Sequence, residues 1–498
     1  MPPAIPAPEL AWPVLMPMLI VAGAGLACLC LDLAPPVHRK GHLAAVGVLG
    51  LAGALVVSLV LWRQPGAESF QRMVALDHFA LFFNVVFCVA AALVLLLSPG
   101  YVRRQGIETG EYYVLVLFAA LGMMLMAAAL DLLIVFLGLE LMSLSLYVLA
   151  GFFRTRATGN ESAMKYFLLG AFASGFFVYG IALLYGATGT TNLEGLGVAL
   201  GAPGAAHDPL VLAGLALLLV GFGFKTSAVP FHQWAPDVYE GAPTAVAALI
   251  ATGAKAAAVA ALLRVLVAMR ALQPDWATLL WVLAVLTMTV GNVVALVQGN
   301  LKRMLAYSSI AHVGYMLVGI VAGSGAGSAA VLYYLLVYSL ATVGAFGVIL
   351  LLERRGASEP GGPSAEVTEA VEIDAYGGLA ARHPVLALVL TVCLLSLIGM
   401  PPTAGFVGKF YLFSAAVQGG FVWLAILAVL NSVVAAYYYL RLIVYMYMRE
   451  PEGDGARAVL TPAAGLALAL VVWGTFHLGL FPGPVSALAQ RAVAPLFP

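Results

Sequence analysis

Lysine and arginine occupy different places in this sequence. Of its six lysines, Lys165, Lys225, Lys255 and Lys409 fall inside long apolar runs, whereas most of the seventeen arginines lie between such runs. A guanidinium stays protonated almost everywhere, but a lysine taken out of water can release its proton near neutral pH. Lysines inside and arginines outside therefore point to groups placed to titrate at depth. An ionisable side chain within a bilayer costs several kcal/mol, roughly, and is by default functional. Glu140 belongs to the same set. It lies in LIVFLGLELMSLSLY, where a carboxylate could tune a buried lysine by favouring its charged form.

Lys225 stands in GFGFKTSAVPFHQWAPDVYEGAP. Pro230 cannot donate to a carbonyl one turn back, so the helix is expected to break just after the lysine. Free backbone groups at membrane depth are tolerated only where protein or a wet cavity encloses them. His232 follows the break and reads either as a proton relay or as a plain interface residue. Lys255, in TAVAALIATGAKAAAVAALL, has only small apolar neighbours and needs a partner from another helix. It lies roughly 18 Å along its helix from Pro243, near the bilayer centre. Lys165 is a relay group or a side chain snorkelling to the surface. Lys409 follows the Pro401–Pro402 pair in LIGMPPTAGFVGKFYLF. His312, in AYSSIAHVGYM, is a core histidine or a relay between the others. Lys302 and Arg303 read as surface anchors, with Lys302 also a weaker member of the same set.

The elements that must position these groups follow from composition. Hydrophobic residues make up 63% of the 498 and charged residues 9%, far from the balance of a soluble domain. The expected fold is an all-α polytopic membrane protein with about fourteen transmembrane helices, each needing about 20 apolar residues. Spans seven (209–234) and twelve (384–417) are each interrupted by proline and each carry one buried lysine. Spans separated by an odd number run in opposite directions. That pattern predicts two inverted five-helix repeats. The organisation is N-terminal helices 1–3 over 1–110, helices 4–8 over 111–275, helices 9–13 over 276–450, and helix 14 over 451–498. Basic loop residues, Arg39 and Arg355 among them, divide thirteen to three between the two sides. The richer side is expected in the cytoplasm, with both termini outside. The polar insert 353–383, with Glu353, Glu359, Glu366, Glu369, Glu372 and Asp374, reads as a solvated linker, with a docking surface as the rival reading. Zero net charge gives no basic face for nucleic acid. The four cysteines show no CxxC spacing for a cluster or zinc. Neither a P-loop nor a dinucleotide fingerprint is present, so any redox chemistry or ATP hydrolysis belongs to other subunits.

The stretches FKTSAVPFHQWAPDVYEGAPT, NLKRMLAYSSIAHVGYM and GMPPTAGFVGKFYLF resemble the antiporter-like membrane subunits of respiratory complex I. KYFLLGAFASGFFVYGIALLYGATGTTNL, together with lysine rather than glutamate at 409, looks most like the subunit N branch of that bacterial NADH–quinone oxidoreductase family. The resemblance implies a proton-translocating subunit with Glu140 and Lys225 as a coupled pair, Lys255 as the central lysine and Lys409 as the terminal one. It implies no cofactor in this chain. NADH, FMN, iron–sulfur clusters and quinone would be bound by partner subunits, and its neighbours would be other complex I membrane subunits in a bacterial cytoplasmic membrane. The rivals are a subunit of a multisubunit Na⁺/H⁺ antiporter and a structural membrane subunit that conducts nothing.

Overall fold

The computed structural model describes residues 10–33, 40–355, 367–450 and 457–497. Arg39, Glu359 and Glu366 lie outside the described residues. The helices are α1 (Trp12–Asp32), α2 (Gly41–Leu61), α3 (His78–Arg104), α4 (Gly110–Ala128), α5 (Leu132–Ala150), α6 (Ala157–Thr188) and the short α7 (Leu193–Leu200). They continue with α8 (Pro209–Thr226), α9 (Trp234–Gly241), α10 (Thr244–Leu249), α11 (Lys255–Ala268), α12 (Gln273–Leu296), α13 (Leu301–Val321) and α14 (Gly325–Leu351). The last are α15 (Leu379–Arg382), α16 (Pro384–Ile398), α17 (Ala404–Gln418), α18 (Val422–Met448), α19 (Pro462–Leu480) and α20 (Gly483–Val493). Among the described residues, 13 spans are long and apolar enough to cross a membrane, with Pro384–Ile398 as a shorter apolar helix.

The helices divide by how they are covered. The span Thr244–Ala268, together with α13 and α14, is almost wholly enclosed, whereas α1, α2, α6, α12, α18 and α19 bury one side and present the other outward. A membrane helix without a lipid-facing side has protein all round it, and α11, α13 and α14 carry Lys255, His312 and the tyrosines described below. Within Thr244–Ala268 the turns are α-helical except for a π-helical segment at Ile250–Ala254, directly before Lys255. Such bulges are frequent at functional sites.

Polar caps fix where several spans start. Asp131 accepts from the amide of Leu133 at 2.9 Å to open α5, and Asn300 accepts from Lys302 and Arg303 at 2.9 and 3.2 Å to open α13. Small residues then permit close approach. A Cβ on Gly122 of α4 would lie 2.5 Å from the Met142 nitrogen and 2.7 Å from the Gly138 oxygen of α5. A Cβ on Gly291 of α12 would lie 2.7 Å from the Ala311 nitrogen and 2.9 Å from the Tyr307 oxygen of α13. One constant shift in numbering relates Gly122 to Gly291, Gly138 to Tyr307, Met142 to Ala311 and the cap Asp131 to the cap Asn300. Asp131 and Asn300 also each form an isolated antiparallel bridge, to Asn192 and to Glu372.

The two interrupted regions share a backbone pattern. After α8, Ser227 adopts φ 65° and Ala228 donates to the Gly223 carbonyl at 2.8 Å. After α16, Gly399 adopts φ 88° and Met400 donates to the Leu395 carbonyl at 3.0 Å. Both are left-handed helix terminations with a returning hydrogen bond.

The insert between α14 and α16 departs from a solvated linker. Strand β3 (Leu352–Arg355) pairs antiparallel with both β4 (Val367–Glu369) and β5 (Arg457–Ala458). A separate hairpin joins β1 (Ala67–Ser69) to β2 (Val74–Leu76). Ala370, Ile373 and Tyr376 of the insert are buried. The reason is apolar content: Ile373 and Tyr376 pack against the helix ends, which a count of its acidic residues conceals.

Candidate proton path

Lys225 is the last-turn lysine of α8, 4% exposed, and its ammonium donates to Ser143 Oγ at 2.7 Å and Tyr147 Oη at 3.0 Å, both on α5. The ammonium also lies 5.2 Å from the centre of the Tyr147 ring. Glu140 lies on the same helix, one turn before Ser143. Its Oε1 accepts from Ser174 Oγ of α6 at 2.5 Å. Among the described residues no ion pair joins Glu140 to Lys225: the carboxylate is held by Ser174 of α6, and the ammonium of α8 by Ser143 and Tyr147 on the helix that carries Glu140. Glu140 is half-buried in this chain, beside the exposed Leu137 and Leu144.

Lys255 is 0% exposed, and its ammonium donates to Ser309 Oγ of α13 at 2.5 Å. Ser309 also accepts from Tyr338 Oη of α14 at 2.7 Å. One turn further along α13, His312 Nδ1 meets Tyr334 Oη at 2.5 Å and its Nε2 meets Tyr439 Oη of α18 at 3.1 Å. Tyr439 is bonded in turn to Ser308. Lys409 is 5% exposed and donates to the Ile398 carbonyl at 2.9 Å and Ser432 Oγ at 3.4 Å. The carbonyl is one that the α16 termination leaves free, and the positive charge suits the negative end of that helix. The Lys409 ammonium also sits 4.6 Å from the centre of the Tyr315 ring. Ser309, His312 and Tyr315 follow each other at helical spacing on α13, so one helix face touches Lys255 at one end and Lys409 at the other.

Lys165 and Lys302 fall at one end of the helices. Lys165 is 39% exposed and paired with Asp237 at 2.5 Å and Glu161 at 2.6 Å, and Asp237 is shared with Arg303 at 2.8 Å. Arg303 also pairs with Glu240 at 2.6 Å. Lys302 differs from a surface anchor. Its side chain is 0% exposed, paired with Glu369 at 3.1 Å and donating to the Ala242 carbonyl at 2.7 Å. Glu369 also accepts from Tyr101 and from Thr244 Oγ1 at 2.7 Å. Burial alone would raise the Glu369 carboxyl, but the Lys302 charge and the hydrogen bonds from Tyr101 and Thr244 outweigh it and hold it below the usual carboxylate value. His232 lies half-buried just past the α8 break, and no hydrogen bond joins it to the lysines among the described residues.

Several participants were missed in the sequence. Ser143, Tyr147, Ser174, Ser309, Tyr334, Tyr338, Tyr439 and Glu369 are ordinary residue types with no motif. The spacing of Tyr334 and Tyr338 in YYLLVYS, one helical turn apart, was the available signal. Arg264 was also unmarked. It is buried near the opposite end, donating to the Ala127 carbonyl at 2.7 Å and paired with Asp77 at 2.7 Å.

The fold is a polytopic helical membrane chain that encloses a line of lysines. The family model described as NADH:quinone oxidoreductase/Mrp antiporter, transmembrane region, matches residues 129–435. NADH-quinone oxidoreductase subunit N of Trichlorobacter lovleyi is 49% identical over 96% of this chain and 96% of its own length. Subunit N 2 of Roseiflexus castenholzii is 47% identical over 98% of this chain and 97% of its own. A chain of respiratory complex I from Thermus thermophilus, solved with bound aureothin, superimposes with a TM-score of 0.79 at 39% identity, covering 95% of this chain and all of the other. This chain belongs to the subunit N family of the NADH–quinone oxidoreductases.

Proposed function

We propose that this chain is a proton-translocating subunit in the membrane arm of an NADH–quinone oxidoreductase. It passes protons through buried Glu140, Lys225, Lys255 and Lys409 while quinone is reduced in other subunits. The observation that carries this reading is the set of three enclosed lysines, each bonded to hydroxyls or a free carbonyl on a neighbouring helix. Among the described residues no salt bridge locks any of them, so each can change its protonation state. Lys225 passes its proton towards Lys255 and then Lys409, with His312 between the last two. Lys165, His232 and Lys302 stand outside the line. NADH, FMN, the iron–sulfur clusters and quinone belong to partner subunits. The chain sits among other membrane-arm subunits in a bacterial cytoplasmic membrane, with the Lys302 end in the cytoplasm and both termini outside. Two repeats, helices 4–8 and 9–13, are supported by the constant shift that relates the α4–α5 contacts to the α12–α13 contacts and by the matched terminations after α8 and α16.

The test is proton uptake by membrane vesicles driven by NADH, with Lys255→Ala compared with the natural protein at equal complex content. Loss of uptake with intact assembly supports the reading, and uptake at the natural rate refutes it.

A further inference from the structure

The contacts of Ser309 specify more than proximity. A serine hydroxyl has two lone pairs and one hydrogen, and an ammonium can only donate. Lys255 donates to Ser309 Oγ at 2.5 Å and the Tyr338 hydroxyl donates to the same oxygen at 2.7 Å. Both lone pairs are therefore filled, and the serine hydrogen is left for Tyr239 Oη, 3.4 Å away. A hydrogen-bonded chain carries a proton onward only if each oxygen accepts from behind and donates ahead. At Ser309 two donors meet head to head, so the connection towards α14 is closed in this arrangement. Ser309 is also the one hydrogen-bond partner of the Lys255 ammonium among the described residues. It occupies the position that the constant repeat shift assigns to Glu140. One half carries a carboxylate there, and the other carries a hydroxyl.

We propose that Ser309 and Tyr338 form a switchable hydroxyl relay that gates proton transfer from Lys255 to the His312 cluster. The Tyr338 ring lies against the His312 ring, with centroids 5.1 Å apart, and Tyr334, one turn earlier on α14, is bonded to His312. Turning both hydroxyls opens the gate. Tyr338 swings its hydrogen off Ser309 and presents a lone pair, and Ser309 turns its own hydrogen towards Tyr338. The Lys255 Nζ–H bond then breaks as a new Ser309 O–H bond forms. The former serine proton passes to Tyr338, and the former tyrosine proton passes on to the His312 imidazole once the ring nitrogen that accepts from Tyr334 or Tyr439 turns its lone pair to Tyr338 Oη. Lys255 is left as a neutral amine and His312 as an imidazolium. One positive charge has moved, and neither hydroxyl stays ionised.

This inference rests on the proton-path reading above, and the experiment separates the two. Proton uptake driven by NADH is measured in vesicles carrying the assembled complex with Ser309→Ala, Ser309→Thr, Tyr338→Phe or Lys255→Ala, at equal complex content. Ser309→Ala and Tyr338→Phe are each expected to slow uptake by roughly tenfold or more, the scale of a lost proton-transfer group. Ser309→Thr is expected to restore most of it. A residue that only packs would behave otherwise, since the added methyl of threonine in an enclosed site would be no better than alanine. If Ser309→Ala fails to assemble, Tyr338→Phe decides alone, because it removes one oxygen and keeps the ring. Natural uptake in Tyr338→Phe and Ser309→Ala with loss in Lys255→Ala overturns the relay alone. Natural uptake in Lys255→Ala overturns the path itself.

Discussion

Glu369→Leu is expected to destabilise the subunit more than Lys302→Met, although each breaks the same buried ion pair. The two losses leave different remainders. Without Glu369, the Lys302 ammonium stays 0% exposed with the Ala242 carbonyl, 2.7 Å away, as its acceptor. An uncompensated buried charge of this kind costs about 3–5 kcal/mol. Tyr101 and Thr244 also lose their acceptor. Without Lys302, the Glu369 carboxylate keeps Tyr101, Thr244 Oγ1 at 2.7 Å and the Thr244 amide at 3.4 Å, at the start of α10. An anion held by hydrogen bonds at a helix N-terminus is already partly compensated. The loss should then be about 1–3 kcal/mol, the scale of a charged hydrogen bond. The double substitution Lys302→Met/Glu369→Leu removes the stranded ammonium. It should therefore be more stable than Glu369→Leu alone, with a coupling of about 0.5–3 kcal/mol. The assay is heating of the purified complex, followed by native gels that report the midpoint at which this subunit dissociates. A double variant no more stable than Glu369→Leu, or the reverse order of the single variants, would refute the reasoning.

The same carboxylate gives a pH dependence. Its folded value is held below the ordinary 4.5, so its contribution is present above that value and is lost as pH falls through the folded one. The midpoint of the natural complex should thus fall more steeply below about pH 4.5 than that of the double variant, and parallel curves would count against it. Glu140→Gln should lower proton uptake strongly with the complex still assembled, and Ser174→Ala, which removes the hydroxyl held to that carboxylate, should lower it less. Equal and natural uptake in both would make Glu140 structural. At Lys409, alanine and arginine should both impair uptake, because a guanidinium hardly deprotonates, while glutamate should retain more than arginine. Arginine at the natural rate would remove the relay role. A periplasmic reporter at the C-terminus should be active and one near Arg355 silent, and the opposite pattern would invert the orientation.

Hydropathy alone located the spans, because each needs about 20 apolar residues to cross the bilayer whatever its neighbours do. It also exposed the buried lysines, since a charge in an apolar run is conspicuous without any tertiary information. Glu140, Lys225, Lys255 and Lys409 were legible for that reason. Their partners were not. Ser143, Ser309, Tyr334 and Tyr338 are frequent residue types in membrane helices, and only packing decides which hydroxyl faces a lysine and which faces lipid. Lys302 shows the same limit from the other side. Its place at the start of α13, next to Arg303, has the composition of a surface anchor, yet strand β4 of the insert brings Glu369 over it and seals it from water. Glu140 of α5 and Lys225 of α8 meet at α5 without a salt bridge, because Ser174 of α6 takes the carboxylate and Ser143 of α5 takes the ammonium. A sequence records the cost of burying a charge, residue by residue. Which groups compensate that cost depends on distances between helices far apart in the chain, and those exist only once the helices have packed.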